Sequence, residues 1–421
     1  MSRDPPVLSP QITNPDWDVI VIGAGPAGAL AAILSARGGL RVLLIEKKSF
    51  PRDKVCGGCV NGEALGVLER CGLVNRLAAL RGKWIERFEL RALGQELRVP
   101  LSGGVAVSRS KIDQVLVAAA VESGVRFLDQ TQATVLESST LDRDLVREVE
   151  LRSGISDRRV VTGCVVVAAD GLGHHSLERL PQFRSYVHPR SYVGLAARTG
   201  VTPVVGAPAE GTISLALGRG GYVGLVRDET ESIHLAAAVA PIRLRNSNGP
   251  ADCVAQILRD ARSPLEVDLS ALTWQGTGPL TQSANRVADR RLFVVGDAVR
   301  YIEPFTGEGI AWALAGAERL APLLTAACMR WDDRLISAWN RELSKQRRWP
   351  CRLLTDIARF PQIARFASWG LSHIPSVPGW LAGQLDRHPE RTRKMATLFN
   401  LPSAAETQPP LVENPAAKDA A

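Results

Sequence analysis

At 421 residues the chain is long enough for about two to three domains and a large core. Its 45% hydrophobic and 22% charged content suits an ordinary globular protein, and it has no apolar run of about 18 residues, so no membrane-spanning helix is expected. The net charge of +8 is local: 13 Lys/Arg against 6 Asp/Glu between Arg330 and Lys394 leave the rest of the chain close to neutral. That distribution points to one anionic surface or partner rather than to a nucleic-acid-binding protein.

Residues 1–15 are Pro-rich with no apolar signal core, and are expected to be a flexible lead rather than an export signal. Seven scattered cysteines then suggest reduced thiols in a cytoplasmic compartment. Asp18 to Ile22 reads as a short strand, followed at once by Gly23-Ala-Gly25-Pro26-Ala27-Gly28. An Ala/Leu-rich helix follows, ending at Gly38-Gly39, and a second strand from Arg41 to Ile45 leads to Glu46. This is a complete βαβ unit with a G-x-G-x-x-G turn. Gly23 permits the tight turn, Gly25 lets backbone approach a pyrophosphate, and Gly28 lets helix and strand pack. The helix N-terminus offers open N–H groups to phosphate, and Glu46 suits a ribose hydroxyl pair.

Arg52 to Asn61 is a Gly/Cys-rich loop, Gly62 to Leu80 has helical spacing, and Phe88 to Val99 alternates like a strand pair. Ser108 to Ser123 is expected to be an amphipathic helix. Val125 to Glu137 and Val146 to Arg152 read as strands, and Arg159 to Ala169 as a β-branched strand ending in Asp170-Gly171. Short strands with Gly/Pro breaks fill Tyr192 to Val239, and Ala251 to Ala261 is helical. Arg291 to Val295 is a strand ending in Gly296-Asp297, followed by Pro304, Gly307, Glu308 and a helix from Gly309 to Ala326. Residues beyond Leu401 read as a disordered tail.

The predicted class is α/β: a discontinuous Rossmann-like nucleotide domain (16–85, 100–180 and 280–328) with an inserted antiparallel β substrate domain (86–99 and 181–279) and a C-terminal helical extension (329–400). Ligands of open α/β sheets sit at the carboxyl ends of strands, so three strands ending in Gly/Asp turns are able to converge on one elongated cofactor. Asp297 is suited to a polyhydroxyl chain, and the turn before Gly309 to placing N–H groups on a ring carbonyl. Taken singly, Asp170-Gly171 and Gly296-Asp297 are equally consistent with turn chemistry.

The order GAGPAG, terminal Glu46, Pro51-Arg52-Asp53-Lys54-Val55-Cys56-Gly57-Gly58, an Arg-plus-Asp helix start, Asp170-Gly171 and Gly296-Asp297-Ala298 with Gly307-Glu308-Gly309 resembles the FAD-dependent monooxygenase superfamily, and within it the geranylgeranyl-reductase-like branch. The resemblance implies FAD, with Gly23, Gly25 and Gly28 at its pyrophosphate and Glu46 at the adenosine ribose. It also implies Arg52 and Arg109 near phosphate and ribose, Asp297 on the ribityl chain, and Gly307 to Gly309 beside the isoalloxazine. The reductase branch often carries Y-x-W-x-F-P over the flavin; the matching stretch here is Gly221-Tyr222-Val223-Gly224-Leu225-Val226. The W-x-W-x-I-P signature of flavin halogenases is missing.

Cys56-Gly57-Gly58-Cys59 has no second pair at metal spacing, so no metal is expected. Cys56 is either close to the flavin, as a catalytic residue, or a small side chain required in a glycine turn. The six histidines form no metal spacing, and His174-His175 read as surface polar residues. No second dinucleotide loop is present, so reducing equivalents are expected from a transiently docked NAD(P)H or from a protein donor. The expected activity is reduction of an apolar small molecule by reduced flavin. The alternatives are hydroxylation with NAD(P)H and oxygen, and non-enzymatic electron transfer. Between Arg330 and Lys394, Trp331, Trp339, Trp349, Trp369 and Trp380 lie among the basic residues. That pattern suits either a helical cap or peripheral contact with an anionic membrane.

Overall fold

The computed structural model describes residues 15–137, 146–154, 157–201, 203–303, 307–346, 359–360, 362–363 and 389–399. Its first layer is an eight-stranded sheet. Strand β1 (Trp17–Ile22) lies between β2 (Val42–Ile45) and the later strand β3 (Asp157–Ala168), with β5 (Leu292–Val294) beyond β3 and residues 126–128 beyond β2. These central pairings are parallel: Val19 faces Val165 and Val42, and Ile22 faces Ala168 and Ile45. The first half of β3 instead pairs antiparallel with Arg147–Ser153.

Both faces of this sheet are covered, which is why β1 reads as an unbroken apolar run rather than an alternating one. Val19 and Val21 pack towards helices α1 (Pro26–Arg37) and α3 (Gly309–Met329). Ile20, Ile22 and Leu43 face Leu177, Leu180 and Phe183 on the other side. Ala29, Ala31 and Ala32 are fully buried, and these small side chains let α1 run close to α3 and to α2 (Arg109–Glu122).

The helical spacing over 62–80 resolves into two helices, Gly62–Arg70 and Val74–Ala78. Gly72, at φ +67°, ends the first in a left-handed cap: its N–H donates to the Glu69 carbonyl and that of Leu73 to the Leu68 carbonyl. Conversely, α3 continues past Ala326 to Met329 with Pro322 inside it.

The second layer is a seven-stranded sheet in the order 275–279, 193–198, β4 (Ile233–Val239), 221–227, 212–218, 87–92 and 95–100. All its pairings are antiparallel except one. Residues 87–92 run parallel to 212–218, because this hairpin reaches the sheet from the earlier part of the chain. Helix Pro250–Ala261 packs on one face, and a Cβ on Gly218 would lie 2.7 Å from the Ile257 carbonyl oxygen, so the helix approaches this closely only over glycine. The opposite face is turned towards the first domain.

At the C-terminal side, helix Arg334–Ser344 buries Trp339, whose indole N–H donates to the Val294 carbonyl at the end of β5. Helix α4 (Pro389–Phe399) packs on Gly62–Arg70 through buried Met395. The interrupted helices expected between these two lie mostly outside the described residues.

Candidate active site

The glycine turn shows three different reasons for glycine. Gly23 has φ +103° and a Cβ there would sit 2.5 Å from the Ala169 carbonyl oxygen. At Gly28 a Cβ would be 1.9 Å from the Gly23 carbonyl oxygen. Both are therefore required by the protein's own packing. Gly25 is not: its backbone is extended, and a Cβ would meet only two guanidinium tips, Arg109 Nη2 at 3.4 Å and Arg52 Nη2 at 3.8 Å. Gly25 also caps α1 without a side-chain hydrogen bond, so the N–H groups of the first turn, entered through Pro26 and Ala27, point to an open space bordered by two cations.

Those cations are held by buried acids. Asp113, wholly buried on α2, accepts from Arg109 Nε at 2.8 Å and pairs with Arg52 Nη1 at 3.2 Å. Arg52 also pairs with Glu46 at 3.0 Å, and Glu46 accepts the backbone N–H groups of Ala24 and Lys48. Burial alone would weaken the hold of Arg109 on its proton. Asp113 outweighs that and keeps the guanidinium firmly charged. Arg52 Nε and Asp113 Oδ2 remain buried without a hydrogen-bond partner. A cradle of N–H groups and fixed arginines at a helix N-terminus, floored by a glycine that packing does not require, fits the pyrophosphate of a dinucleotide.

The other strand ends close the cleft. Ala169, Gly171 and Leu172 line it beyond β3, while the Asp170 carboxylate accepts the N–H of Ser176 at 2.8 Å across two 3-10 turns. His174, expected at the surface, is half-buried there in a left-handed conformation. Burial pulls its pKa down. Gly296 packs on α1, where a Cβ would lie 2.8 Å from Ala27 Cβ. Asp297 faces the cleft opposite Lys54, 3.8 Å away. Withdrawal from bulk water lowers the Lys54 pKa; Asp297 opposes this, while Arg109 and Arg52 add to it. Gly307 and Gly309 complete the wall at the start of α3.

The cleft opens without interruption into an apolar chamber, for a combined empty volume of about 1820 Å3 including its mouth. The chamber floor is the second sheet. Gly194, Gly224, Ala236 and Ala238 keep it low, and Phe88, Leu215 and Tyr222 stand beside them. The Cys56 loop hangs between the two compartments. Cys56 Sγ accepts the Gly58 N–H at 3.5 Å, and burial pushes the neighbouring Cys59 thiol upward in pKa. Behind the loop, His234 Nδ1 would be 3.6 Å from a Cβ on Gly58, and its Nε2 is 2.8 Å from buried Asp228. No group of three or more His, Cys, Asp or Glu able to hold a metal occurs among the described residues.

Thus Gly25, Pro26, Ala27, Cys56, Arg109, Asp297, Gly307 and Gly309 border one cavity. Gly23, Gly28 and Gly296 are packing positions behind it, and Glu46 and Arg52 flank its first turn. Sequence reasoning did not single out Asp113 and Lys54 as site residues. The four-residue spacing of Arg109 and Asp113 on one helix face was the available signal for the first.

A parallel sheet with a dinucleotide cradle joined to an apolar chamber defines a flavin-dependent oxidoreductase. Residues 16–346 match the family described as FAD binding domain, and the chain belongs to that family, with FAD as its cofactor. It is 27% identical over 369 residues to menaquinone reductase of Mycobacterium tuberculosis, covering 82% of this chain and 85% of that protein. It is 27% identical over 365 residues to digeranylgeranylglycerophospholipid reductase 2 of Methanopyrus kandleri, covering 78% and 84%. It is also 28% identical to conditioned medium factor receptor 1 of Dictyostelium discoideum, covering 78% of this chain but 65% of the receptor's length. The solved structure of flavin-dependent brominase Bmp2 shares the fold, with a TM-score of 0.72 at 18% identity over 91% of this chain and 99% of that one.

Proposed function

We propose that the protein reduces a carbon–carbon double bond in an elongated apolar molecule of the isoprenoid-bearing kind. The observation that carries this reading is the continuity of the cavity, from the two-arginine cradle past the Cys56 loop to a floor of Gly and Ala. The names of the menaquinone and digeranylgeranylglycerophospholipid reductases support it.

Bound FAD supplies two-electron redox chemistry. The chain's own part is positional. Arg52 and Arg109, fixed by Asp113, hold the phosphates; Asp297 is the acceptor for the ribityl hydroxyls; the turn at Gly307 to Gly309 presents backbone to the ring. The low floor around Gly224 and Ala236 seats the apolar chain and excludes water. Saturating a double bond also requires a proton, and Cys56, on the loop between the compartments, is the residue to hold it. Electrons would come from a transiently docked NAD(P)H or from a protein donor.

The test is to reduce the purified holoprotein anaerobically and mix it with menaquinone or with a digeranylgeranylglycerophospholipid. Reoxidation by such an alkene within the turnover time, without oxygen, is the expected outcome. Indifference to both alkenes, with substrate-dependent oxygen consumption, would replace the reductase by a hydroxylase. Fast reoxidation by a protein acceptor alone would leave an electron-transfer role.

A further inference from the structure

At the end of the sheet remote from the cofactor cradle, two cysteines from distant parts of the chain meet. Cys164 lies on β3 and Cys328 near the end of α3, and both are half-buried. The Cys164 sulfur lies 3.8 Å from the Ala327 carbonyl oxygen and 3.9 Å from that of Cys328. Arg291 Nη1 stands 3.1 Å from the same sulfur and 3.1 Å from the Cys164 carbonyl oxygen. Its guanidinium is held over the Trp331 ring at 5.9 Å. Cys328 Sγ is 3.4 Å from the Asp18 carbonyl oxygen on β1.

We propose that Cys164 and Cys328 form a peroxide-oxidisable dithiol, a modification site separate from the flavin cleft, with Cys164 as the attacking sulfur and Cys328 as the resolving one. The surroundings of the pair on balance favour this order. The groups facing Cys164 are Cys328 from α3, Arg291 from the turn before β5 and Asp18 from β1. The adjoining Cys328 thiol and the cation of Arg291 outweigh burial and Asp18, bringing the Cys164 thiol down to about 6. Cys328 is pushed the other way and keeps its proton. Cys71, by contrast, is raised to about 11 by burial. A thiolate with a neighbouring thiol is the arrangement that reacts with peroxide and then closes to a disulfide.

In the first step the Cys164 thiolate attacks one oxygen of hydrogen peroxide. An S–O bond forms, the O–O bond breaks, and the departing hydroxide takes a proton to become water. In the second the Cys328 sulfur displaces the new hydroxyl from Cys164. An S–S bond forms, the S–O bond breaks, and the Cys328 proton leaves with the hydroxyl as a second water. The two sulfurs lose two electrons and the peroxide gains them. The bond would tie the end of α3 to β3.

The test uses the full-length holoprotein with peptide mapping by mass spectrometry. Alkylation of Cys164 by iodoacetamide between pH 5 and 9 is expected to be half-maximal near pH 6, and Arg291→Met or Arg291→Lys should move that midpoint upward by different amounts. Hydrogen peroxide should yield a linked Cys164–Cys328 peptide, reversed by dithiothreitol. In Cys328→Ser the reaction should stop at a sulfenic acid on Cys164, trapped by dimedone. Circular dichroism and FAD content report whether each variant is folded. Oxidation at Cys56 or Cys59 with Cys164 untouched, or a Cys164 alkylation midpoint near the ordinary thiol value, would overturn the proposal.

Discussion

Glycines of one motif separate into those the fold needs and one it does not. Val at position 28 would collide with backbone and should unfold the βαβ unit. A Cβ at position 25 meets no backbone, only two guanidinium tips, the nearer at 3.4 Å. Gly25→Val is therefore expected to keep the parent's secondary structure and lose FAD, read as the ratio of flavin to protein absorbance after purification. Full occupancy in that variant would remove the cradle from this site. Asp113→Ala acts differently. It removes the counter-charge of Arg109 and one of the two carboxylates paired with Arg52, and breaking such a buried pair costs about 3–5 kcal/mol. Its melting temperature should fall even in the presence of excess FAD. Cys56→Ser should bind FAD normally and change turnover, whereas Cys59→Ser, replacing a thiol that donates to the Gly57 carbonyl, should stay close to the parent. Equal turnover of the Cys56 variant and the parent would leave Cys56 as turn chemistry.

Elements differ in how much of them the sequence discloses. The βαβ unit is legible because its constraints are local: turn glycines, unbroken apolar strands and an Ala-rich helix all lie within residues 17–45. Gly72 shows the limit at one residue, since helical spacing runs through 62–80 while a left-handed cap cuts it. The parallel pairing of 87–92 with 212–218 and the Asp228–His234 contact depend on where a later sheet carries its strands, and no short window contains that information. The turn between 221–227 and β4 makes the point with a measurable consequence. Burial would raise Asp228, but hydrogen bonds from His234 and Thr230 outweigh it and bring its pKa to about 2, from an ordinary 3.8. A depressed carboxyl stabilises the fold above its unfolded pKa, and that contribution fades as pH falls through the folded value. Asp228 thus contributes about 2 kcal/mol at neutral pH, lost between pH 4 and pH 2. Asp228→Asn should flatten the acid side of a thermal-midpoint-against-pH curve in that window. An unchanged curve would mean that this hydrogen-bonded turn adds nothing to stability.

At the scale of the whole molecule, interleaving is visible in the sequence because apolar strands ending in Gly- or Asp-bearing turns recur at 17, 157 and 292 with a differently patterned stretch between them. The basic C-terminal stretch is less transparent, since charge and Trp content favour a docked cap but also suit a membrane-facing segment. The described part favours docking for its own residues. Trp339 is fully buried under β5, and Trp331 packs on Phe293. Arg359 is committed to buried Glu303 and lies over Tyr192, and Arg391 pairs with Glu69. What remains outward includes Phe360 and Ile363, 52% and 53% exposed. No helix among the described residues is long and apolar enough to cross a membrane. A basic side chain near an anionic surface contributes about 1 kcal/mol, and the attraction fades over a Debye length of roughly 8 Å at physiological salt. An excess of 7 positive charges between Arg330 and Lys394, reduced by those internal pairs, is enough for weak binding that salt reverses. Such binding would bring the chamber mouth to a lipid-dissolved substrate. The full-length protein is expected to co-sediment with phosphatidylserine-containing vesicles at low salt, to leave them at high salt, and to ignore neutral vesicles throughout. Equal partition to both vesicle types, or to neither, would reduce the segment to a packed cap whose positive charge serves only its own ion pairs.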